Sequence, residues 1–419
     1  MGVWPVTASR GLGVDEIEAS RGPLTFADLV AVGARVNSRR PQLLVSRVLG
    51  KHIPTLGVVA EAAGLGLAQA VVGSFRSECR GVDCPTLVVG FAETACGLGF
   101  LVAASLPGSS YAQTTRDLRD DPEVWLAFTE SHSHAPEHQL LEGVRTHAES
   151  CERVVLVDDE LTTGATAWGL IRRINAEFPG RQYVVACLVD ARSTKSEWEF
   201  ATSAAAAGVD VRVVALVRRR DGVVAPSRVT SGRVHPARAT DVVTAAAVRA
   251  RVCLPDLAST QLPDPRWGLT PEQCVETTRI LDAEIADAIS KCVAGRVLVL
   301  GVEEGMHSAI RVAARLGAHV QSTSRSPAVI LARAGYPIQT GVTFTSAYDA
   351  GVDAFLYNSP RPSGHSTVFD DVLLIDPAPR GAAYETSPGL LAAALLCCSG
   401  TVWRVSPEMV PVPGGPGSL

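Results

Sequence analysis

The sequence predicts an α/β protein in which helices cover both faces of a parallel sheet, followed by a second C-terminal α/β domain. In the first half, short apolar runs alternate with longer helix-like stretches, as a helix-covered parallel sheet requires. The alternation restarts after a polar, proline-rich segment at 255–271. The length of 419 residues also exceeds what one hydrophobic core normally supports.

The elements of the first half follow from short apolar runs, which predict strands, and from the longer stretches between them, which predict helices. Strands buried on both faces are continuous apolar runs, so these segments favour parallel pairing. The predicted strands are 43–48, 86–90, 154–157, 183–189 and 209–217, and the predicted helices are 61–72, 96–106 and 166–178.

The second half repeats the pattern. We expect a second α/β domain at 260–405, after a first domain at 20–240, and a disordered tail at 406–419 because that end is rich in Gly and Pro. The predicted elements are strands at 296–301 and 371–376 and helices at 306–316 and 390–398.

Composition narrows the classes of partner. A net charge of −5 provides no general basic field, so we expect no nucleic-acid partner. The apolar run at 390–398 is too short to span a bilayer, and the N-terminus has no signal-peptide pattern. Ten scattered cysteines without a C-x-x-C pair favour buried free thiols. We therefore expect a cytoplasmic protein without a membrane partner.

The most informative segment is VVLVDDELTTGAT at 154–166. Asp158 and Asp159 follow the apolar run, and a small, hydroxyl-rich turn then opens a helix. The N–H groups of a helix N-terminus suit a phosphate, and carboxylates suit sugar hydroxyls, so the segment predicts a cradle for ribose 5-phosphate. The alternative is an ordinary strand–turn–helix whose threonines cap the helix. The turn consists of Thr162, Thr163, Gly164, Ala165 and Thr166.

This segment closely resembles the phosphoribosyl pyrophosphate (PRPP) motif of type I phosphoribosyltransferases, which is a hydrophobic strand, an acidic pair and T-T-G-x-T. The resemblance implies a type I phosphoribosyltransferase-like fold. It implies that Asp158 and Asp159 hold the ribose 2- and 3-hydroxyls and that 162–166 enclose the 5-phosphate. Transfer from PRPP expels pyrophosphate and therefore needs Mg²⁺, which we expect to bind through PRPP rather than directly to the protein.

Two further loops are candidates for binding the pyrophosphate. Lys51 and His52 follow the first predicted strand, and the alternative for them is a solvated turn before Pro54. The second loop follows the strand at 86–90 and matches the pyrophosphate loop of type I enzymes in position and small size. It contains Glu93, Thr94 and Ala95, and Glu93 would act through Mg²⁺-bound water.

A histidine-rich segment between the second and third strands predicts a lid that closes over the substrate and is mobile without it. Three histidines lie within seven residues, and Arg116 belongs to the same insertion. A zinc site and a solvated polar loop are the alternatives that remain open. The histidines are His132, His134 and His138.

The second domain has two candidate segments. Glu303 and Glu304 lie in a turn between a strand and a helix. Ser324, Arg325 and Ser326 place one guanidinium among hydroxyls, which suits an anionic group. We expect Arg325 to face the turn across a cleft. The alternative is a surface ion pair between Arg325 and one of the two glutamates.

The order of these segments resembles the TRSP domain, which is found C-terminal to a bacterial phosphoribosyltransferase domain. The pattern is VLVLGVEEGMHSAIRVAARLG, STSRSP, GYPIQTGVTF and AFLYN, with Ser324 in place of the motif's threonine. The resemblance covers roughly residues 20–405. Such proteins occur in bacterial gene clusters associated with tellurite resistance and stress response, which implies synthesis of a nucleotide-like metabolite.

We therefore expect a Mg²⁺-dependent phosphoribosyltransferase that uses PRPP and an unidentified acceptor, or catalyses the reverse reaction. Its second domain would bind or process the acceptor or product. The alternative is a non-catalytic regulatory protein that senses PRPP or a nucleotide, since fold alone does not fix function. The sequence leaves open whether the protein forms a homodimer.

Overall fold

The computed structural model describes residues 24–36, 41–75, 84–117, 122–128, 138–219, 233–242, 251–253, 260–361, 369–376 and 386–410. The strands are β1 Val30–Ala34, β2 Gln42–Ser46, β3 Thr55–Leu56, β4 Thr86–Gly90, β5 Ser109–Gln113, β6 Val124–Phe128, β7 His138–Leu141, β8 Arg153–Leu161, β9 Gln182–Asp190, β10 Asp210–Arg218, β11 Arg233–Val234, β12 Ala237–Arg238, β13 Arg251–Cys253, β14 Gln261–Pro263, β15 Val297–Gly301, β16 His319–Ser322, β17 Ile330–Leu331, β18 Gly341–Thr345, β19 Asp353–Tyr357, β20 Asp371–Ile375, β21 Thr401–Val405 and β22 Glu408–Val410.

The α-helices alternate with these strands, as the sequence predicts. A π-helical segment, Ile280–Ala286, separates two of them. The helices are α1 Phe26–Leu29, α2 Gly57–Ser74, α3 Ala95–Ala104, α4 Gly143–Ser150, α5 Ala165–Glu177, α6 Thr194–Ala206, α7 Ala239–Val242, α8 Pro271–Arg279, α9 Asp287–Ile289, α10 Met306–Leu316 and α11 Pro388–Leu395.

The chain forms two compact units, and neither is continuous in sequence. One comprises 63–222, 262–279 and 409–419, and we call it the five-strand unit. The other comprises 1–62, 223–261 and 280–408, and we call it the six-strand unit. The predicted domains at 20–240 and 260–405 are continuous, so they differ from the units in the placement of residues 20–62, 223–240 and 262–279.

The five-strand unit is built on a fully parallel sheet in the order β10-β9-β8-β4-β5. On one face, Leu87 and Val89 of β4 pack with the aliphatic side chains of α5 and with α4 and α6. Tyr111 of β5 pairs with Val88, which points to the other face, and there its ring meets Phe100 of α3 at 5.5 Å. Helices therefore cover both faces, which confirms the predicted fold class.

The six-strand unit contains a second sheet in the order β13-β21-β20-β15-β16-β3. Its strands are parallel except for β3, which runs antiparallel to β16. The central strand β15 is buried along its whole length. Helix α10 follows it and buries one face, including Ile310 and Ala313. The predicted second α/β domain is confirmed as an α/β arrangement.

Two local predictions need correction. Strand β8 continues through the acidic residues to Leu161, whereas the apolar run predicts an end at 157, because β9 continues to pair alongside it. The expected disorder of 406–419 is wrong for its first residues, since Glu408–Val410 is a strand. Residues 411–419 lie outside the described residues.

One of the described helices, Gly57–Ser74, is long and apolar enough by length and composition to cross a membrane, and 39% of that window is buried. From the sequence, only the shorter run at 390–398 was considered as a possible membrane span. Core helices of proteins that never enter a membrane have the same length and composition, so the helix does not by itself indicate a membrane protein.

Candidate functional site

The carboxyl end of the parallel sheet in the five-strand unit brings three predicted segments to one edge. Strands β4, β5 and β8 end there side by side, with Gly90 paired to Gln113 on one side and to Val157 on the other. The residues that follow these three positions are the predicted pyrophosphate loop, the Thr114–Arg116 segment and the acidic pair. Ligands of open α/β sheets bind at this edge.

Three consecutive acids, Asp158, Asp159 and Glu160, occupy the end of β8, and all are half-buried. The backbone N–H of Asp159 donates to Asp158 Oδ1 at 2.9 Å. Burial, together with the neighbouring Asp159 and Glu160 carboxylates, raises the pKa of Asp158 well above its ordinary value. The edge therefore concentrates acceptor oxygens where a cation or a group of hydroxyls would relieve their repulsion.

The turn after these acids is open to solvent. Thr162, Thr163 and Ala165 are exposed, and Thr166 is half-buried. The backbone N–H of Ala165 donates to Thr163 Oγ1 at 3.2 Å. The N-cap of α5 is Gly164, which has no side chain with which to cap the helix. The N-terminal N–H groups of α5 consequently face the edge without a capping side chain from the N-cap position.

Gly164 is the buried member of this turn. Its φ of +84° lies in the left-handed region, which glycine adopts at no steric cost. A Cβ at this position would lie 2.7 Å from Cδ2 of Phe200, which belongs to α6. Both the backbone conformation and the close ring therefore require glycine.

The predicted pyrophosphate loop is buried and tied to the sheet. The N–H of Phe91 donates to the carbonyl of Val157 at 3.0 Å, and the N–H of Ala92 donates to Thr114 Oγ1 at 2.8 Å. The peptide between Ala92 and Glu93 is cis. Glu93 and Thr94 are each 5% exposed, and α3 begins at Ala95. The loop thus presents a helix N-terminus at the same edge as α5.

His138 does not belong to a lid, which corrects the sequence prediction. It begins strand β7, which pairs with β6, and it is only 3% exposed. Its Nδ1 lies 3.0 Å from Thr114 Oγ1, and its ring stacks on Phe128 at 5.4 Å. Burial, with a contribution from the positive charge of Arg116, lowers the pKa of His138 to about 3. The ring is therefore neutral and supports the Thr114 hydroxyl.

The remaining residues of the predicted lid are only partly described. Arg116 is half-buried and follows Thr115, which is fully buried. Asp117 then accepts a hydrogen bond from Arg266 at 2.9 Å. This part of the segment is therefore anchored. His132 and His134 lie outside the described residues, so neither the lid nor the zinc alternative is tested by the structure.

One buried ion-pair network at this edge was missed in the sequence analysis. Arg192 Nε and Nη2 donate to the two carboxylate oxygens of Asp190 at 2.9 and 2.8 Å, and both side chains are almost fully buried. Arg218 reaches the same carboxylate at 3.2 Å. The Asp-Ala-Arg spacing directly after the apolar strand β9 was the available signal.

Lys51 and His52 lie in the six-strand unit, unlike the PRPP-like segment. Lys51 is half-buried, and His52 is 2% exposed with its ring 5.4 Å from that of Tyr357. The carbonyl of His52 accepts a hydrogen bond from Asn358 Nδ2 at 2.8 Å. His52 is therefore a packed residue of its own unit, and the sequence prediction of a substrate-binding ring does not account for its burial.

The second-domain candidates meet at the carboxyl end of β15 and β16. Arg325 Nε lies 2.7 Å from Glu303 Oε2, and Nη2 lies 3.7 Å from Glu304 Oε1. Both glutamates are buried. Arg325 thus faces the turn, as predicted, but its near partners are carboxylates, as in the alternative interpretation. The pair differs from that alternative in being buried rather than on the surface.

Hydroxyl groups complete this cluster. Ser346 Oγ donates to Glu303 Oε1 at 2.7 Å, and the N–H of Glu303 donates to Thr323 Oγ1 at 3.0 Å. Ser324 is fully buried and its Oγ accepts from the N–H of Ser326 at 3.0 Å, which shapes the Ser-Arg-Ser turn. Among the residues that the structure describes, no group of three or more His, Cys, Asp and Glu side chains is arranged to hold a metal ion.

Comparison with protein families gives two matches in series. Residues 29–220 match the PRTase_2 model, described as phosphoribosyl transferase. Residues 264–392 match the model described as the TRSP domain C-terminal to PRTase_2. The two matches agree in order with the resemblance drawn from the motifs. No curated protein matches the chain.

Several solved structures are similar to part of the chain. Adenine phosphoribosyltransferase from Rhodothermus marinus is 18% identical, with 46% of this chain and 96% of that chain covered and a TM-score of 0.31. The enzyme from Giardia lamblia, complexed with 9-deazaadenine, is 16% identical over 47% and 99%, with a TM-score of 0.32. That from Trypanosoma brucei, in complex with AMP, pyrophosphate and ribose-5-phosphate, is 14% identical over 52% and 90%, with a TM-score of 0.34. At these scores the likenesses carry no functional inference.

Proposed function

The chain carries a phosphoribosyl transferase domain followed by a TRSP domain, and on that premise we propose that it transfers the 5-phosphoribosyl group of PRPP to an acceptor. One observation supports this most strongly. Within nine residues of chain, β8 ends in three half-buried acids and α5 begins at an uncapped glycine turn. Ribose hydroxyls and a phosphate are complementary to these two features.

Asp158 and Asp159 would accept hydrogen bonds from the ribose 2- and 3-hydroxyls. The raised pKa of Asp158 fits this role, because burial and the neighbouring carboxylates disfavour its ionised form. A bound hydroxyl donor and a nearby cation both favour ionisation. Substrate binding would therefore offset the cost of holding these carboxylates together.

The turn at 162–166 would bind the 5-phosphate. Its backbone N–H groups and exposed threonine hydroxyls are donors, and the helix dipole of α5 favours a negative charge at its N-terminus. The second N-terminus at this edge, that of α3, follows Glu93 and Thr94 and would meet the pyrophosphate.

Magnesium bound to PRPP would suit this edge, because burial and the adjacent Asp159 and Glu160 carboxylates raise the pKa of Asp158, and a nearby cation favours its ionised form. Bound to PRPP, Mg²⁺ would neutralise charge that develops on the departing pyrophosphate. In the transfer, the bond from the anomeric carbon to pyrophosphate breaks and a bond from that carbon to the acceptor forms. The chain's own contribution is to orient ribose and phosphate and to exclude water.

The six-strand unit would bind or process the acceptor or product. Support comes from the buried cluster of Glu303, Glu304 and Arg325 at the carboxyl end of its sheet, where open α/β folds bind ligands.

The ribose assignment is tested by the double variant Asp158→Asn/Asp159→Asn. We expect its affinity for PRPP with Mg²⁺, measured by calorimetric titration, to fall about 100-fold or more, because each hydrogen bond to a charged group contributes about 1.5–3 kcal/mol. The control is Glu149→Gln/Glu152→Gln, which removes the same charge from two exposed positions that precede β8, one in α4 and one directly before the strand. Equal affinity in the two double variants would exclude the ribose role.

Catalysis is tested separately by following the release of pyrophosphate from PRPP with ³¹P NMR in the presence of a panel of nucleobases and amines. Release that depends on one acceptor and is lost in the Asp158/Asp159 double variant is the expected result. Tight PRPP binding without release under any condition would instead indicate a sensor.

A further inference from the structure

Phe200 lies against the turn that binds the 5-phosphate in the proposed function, although it is 36 residues away in sequence from Gly164. The side chain is 6% exposed and belongs to the hydrophobic core between the sheet, α5 and α6. A Cβ on Gly164 would lie 2.7 Å from Cδ2 and 3.2 Å from Cε2 of the ring. One edge of the phenyl ring therefore occupies the place where a side chain of the turn would be.

This contact limits how the turn can move. Gly164 stands between the exposed Thr163 and the first residue of α5, and its φ of +84° reverses the chain direction there. The ring blocks a displacement of the turn toward the core. Because the N–H groups that follow are held in the rigid helix α5, the ring edge also fixes where those donors point.

The ring is itself held from two sides. Trp168, one turn into α5, meets it edge-on with ring centroids 6.1 Å apart. On the other side, the Arg192 guanidinium carbon lies 5.3 Å from the ring centroid. Arg192 is fixed by its two bonds to Asp190, so the ring lies between a helix that carries the turn and a buried ion pair.

A backbone contact joins the same two regions. The N–H of Ala191 donates to the carbonyl of Leu161 at 2.9 Å, directly before the turn begins. The two ends of the turn are thus connected to the β9–α6 segment, at Leu161 by a hydrogen bond and at Gly164 by the phenyl ring.

We propose that Phe200 is a positioning residue for the 5-phosphate of PRPP, and this inference rests on the proposed function. It does not touch the substrate. It holds Gly164 in place so that the N–H groups at the start of α5 and the hydroxyls of the turn converge on one phosphate. Such convergence is sensitive to small shifts, since a misplacement of about 1 Å can cost about 100-fold.

The experiment compares Phe200→Leu with Trp198→Leu, which removes an aromatic ring from the same helix at a position that is 68% exposed. Calorimetric titrations use two probes, ribose 5-phosphate and Mg²⁺–pyrophosphate. Ribose 5-phosphate should bind Phe200→Leu about 10- to 100-fold more weakly than wild type, whereas pyrophosphate should bind equally well. Trp198→Leu should match wild type for both probes.

The outcomes separate the possible roles. Equal weakening for both probes would make Phe200 a residue of general structural importance and overturn the inference, as would unchanged binding of ribose 5-phosphate. If the wild-type protein binds neither PRPP nor ribose 5-phosphate, the proposed function fails and the inference fails with it.

A second variant guards against loss of folding in Phe200→Leu. Gly164→Ala probes the same contact from the turn, where the added methyl group would meet the ring at 2.7 Å. It should show the same selective loss of ribose 5-phosphate binding, and a cooperative thermal unfolding transition would show that the variant is folded. Retention of wild-type affinity in Gly164→Ala would contradict the inference even if Phe200→Leu does not fold.

Discussion

Single side chains shape the candidate site through their contacts with other residues of the protein. The Thr114 hydroxyl accepts from the N–H of Ala92 and contacts His138 Nδ1, so it connects the predicted pyrophosphate loop to strand β7. His138 is buried and neutral, and three aromatic or hydroxyl neighbours hold it. His138, which the sequence predicts to be a lid residue, therefore supports the predicted pyrophosphate loop instead.

Because His138 is neutral in the folded protein, we predict how the free energy of unfolding depends on pH. Its folded-state pKa of about 3 lies below the ordinary value of 6.5, so its contribution to stability is fully present above pH 6.5 and is lost as the pH falls toward 3. Relative to His138→Phe, the wild-type free energy of unfolding should fall by about 1.4 kcal/mol per pH unit below pH 6.5.

Urea unfolding of both proteins at pH 7.5, 6 and 5 measures this difference. The comparison cancels the titration of all other groups. Parallel pH dependences for wild type and variant would mean that the pKa of His138 is the same in the folded and unfolded states, and the buried, neutral role given to its ring would then be wrong.

At the scale of secondary-structure elements, the junction between β9 and α6 organises the edge. Ser193 caps α6 by accepting from the N–H of Ser196 at 3.1 Å, and the adjacent Arg192 turns inward to Asp190. The helix therefore starts at a fixed place, and this start determines where Phe200 lies. Helix α6 carries no recognisable substrate motif, yet it packs on the turn at 162–166, which does carry one.

Two ion pairs near this junction should differ sharply in stability. Arg192→Met removes the two guanidinium hydrogen bonds of the buried Asp190 and leaves it the longer Arg218 contact and the backbone N–H of residue 192, so it should cost about 3–5 kcal/mol of unfolding free energy. Lys195→Met breaks an exposed pair with Glu199 at 3.6 Å and should cost less than about 1 kcal/mol. Urea unfolding at neutral pH measures both, and similar costs would contradict the structural role given to the buried pair.

At the scale of the whole molecule, the two family matches and the two compact units divide the chain differently. The phosphoribosyl transferase match begins at residue 29, whereas residues up to 62 belong to the six-strand unit. The reason lies in pairing: β3 runs beside β16, and the N–H of Ser322 donates to the carbonyl of Gly50. The segment that carries Lys51 therefore folds with the C-terminal sequence.

From the division into two units we predict how a substitution of Arg325 affects product formation and PRPP affinity. Lysine keeps the charge but not the planar fork that reaches Glu303 and Glu304. We expect Arg325→Lys to abolish product formation in the full-length protein and to leave PRPP affinity unchanged, because the PRPP-like segment belongs to the five-strand unit.

The matched control is Arg315→Lys, at an exposed pair with Asp287 in the same unit, which should retain wild-type activity. Pyrophosphate release and calorimetric titration supply the two readouts. Full activity in Arg325→Lys would show that the Ser-Arg-Ser-Pro segment has a structural role alone.

The sequence by itself determined the segments whose chemistry is local. The run from Val154 to Thr166 predicts strand, acids, glycine turn and helix because each neighbour in the chain is also a neighbour in space. Strand β4 followed by a small loop and α3 was predictable for the same reason. Hydrophobic periodicity and turn chemistry are properties of contiguous residues, so they can be read without the fold.

Only the tertiary structure decided which distant residues complete these segments. Phe200 contacts Gly164, and His138 contacts Thr114. The segment with Lys51 belongs to the six-strand unit. The alternation of apolar runs specifies none of these pairings. For Arg325 the sequence left two interpretations open, an anion-binding group or an ion pair with a glutamate, and the fold places the carboxylates of Glu303 and Glu304 beside it. Such contacts depend on strand order and register, which are set by packing of the whole chain rather than by any one segment.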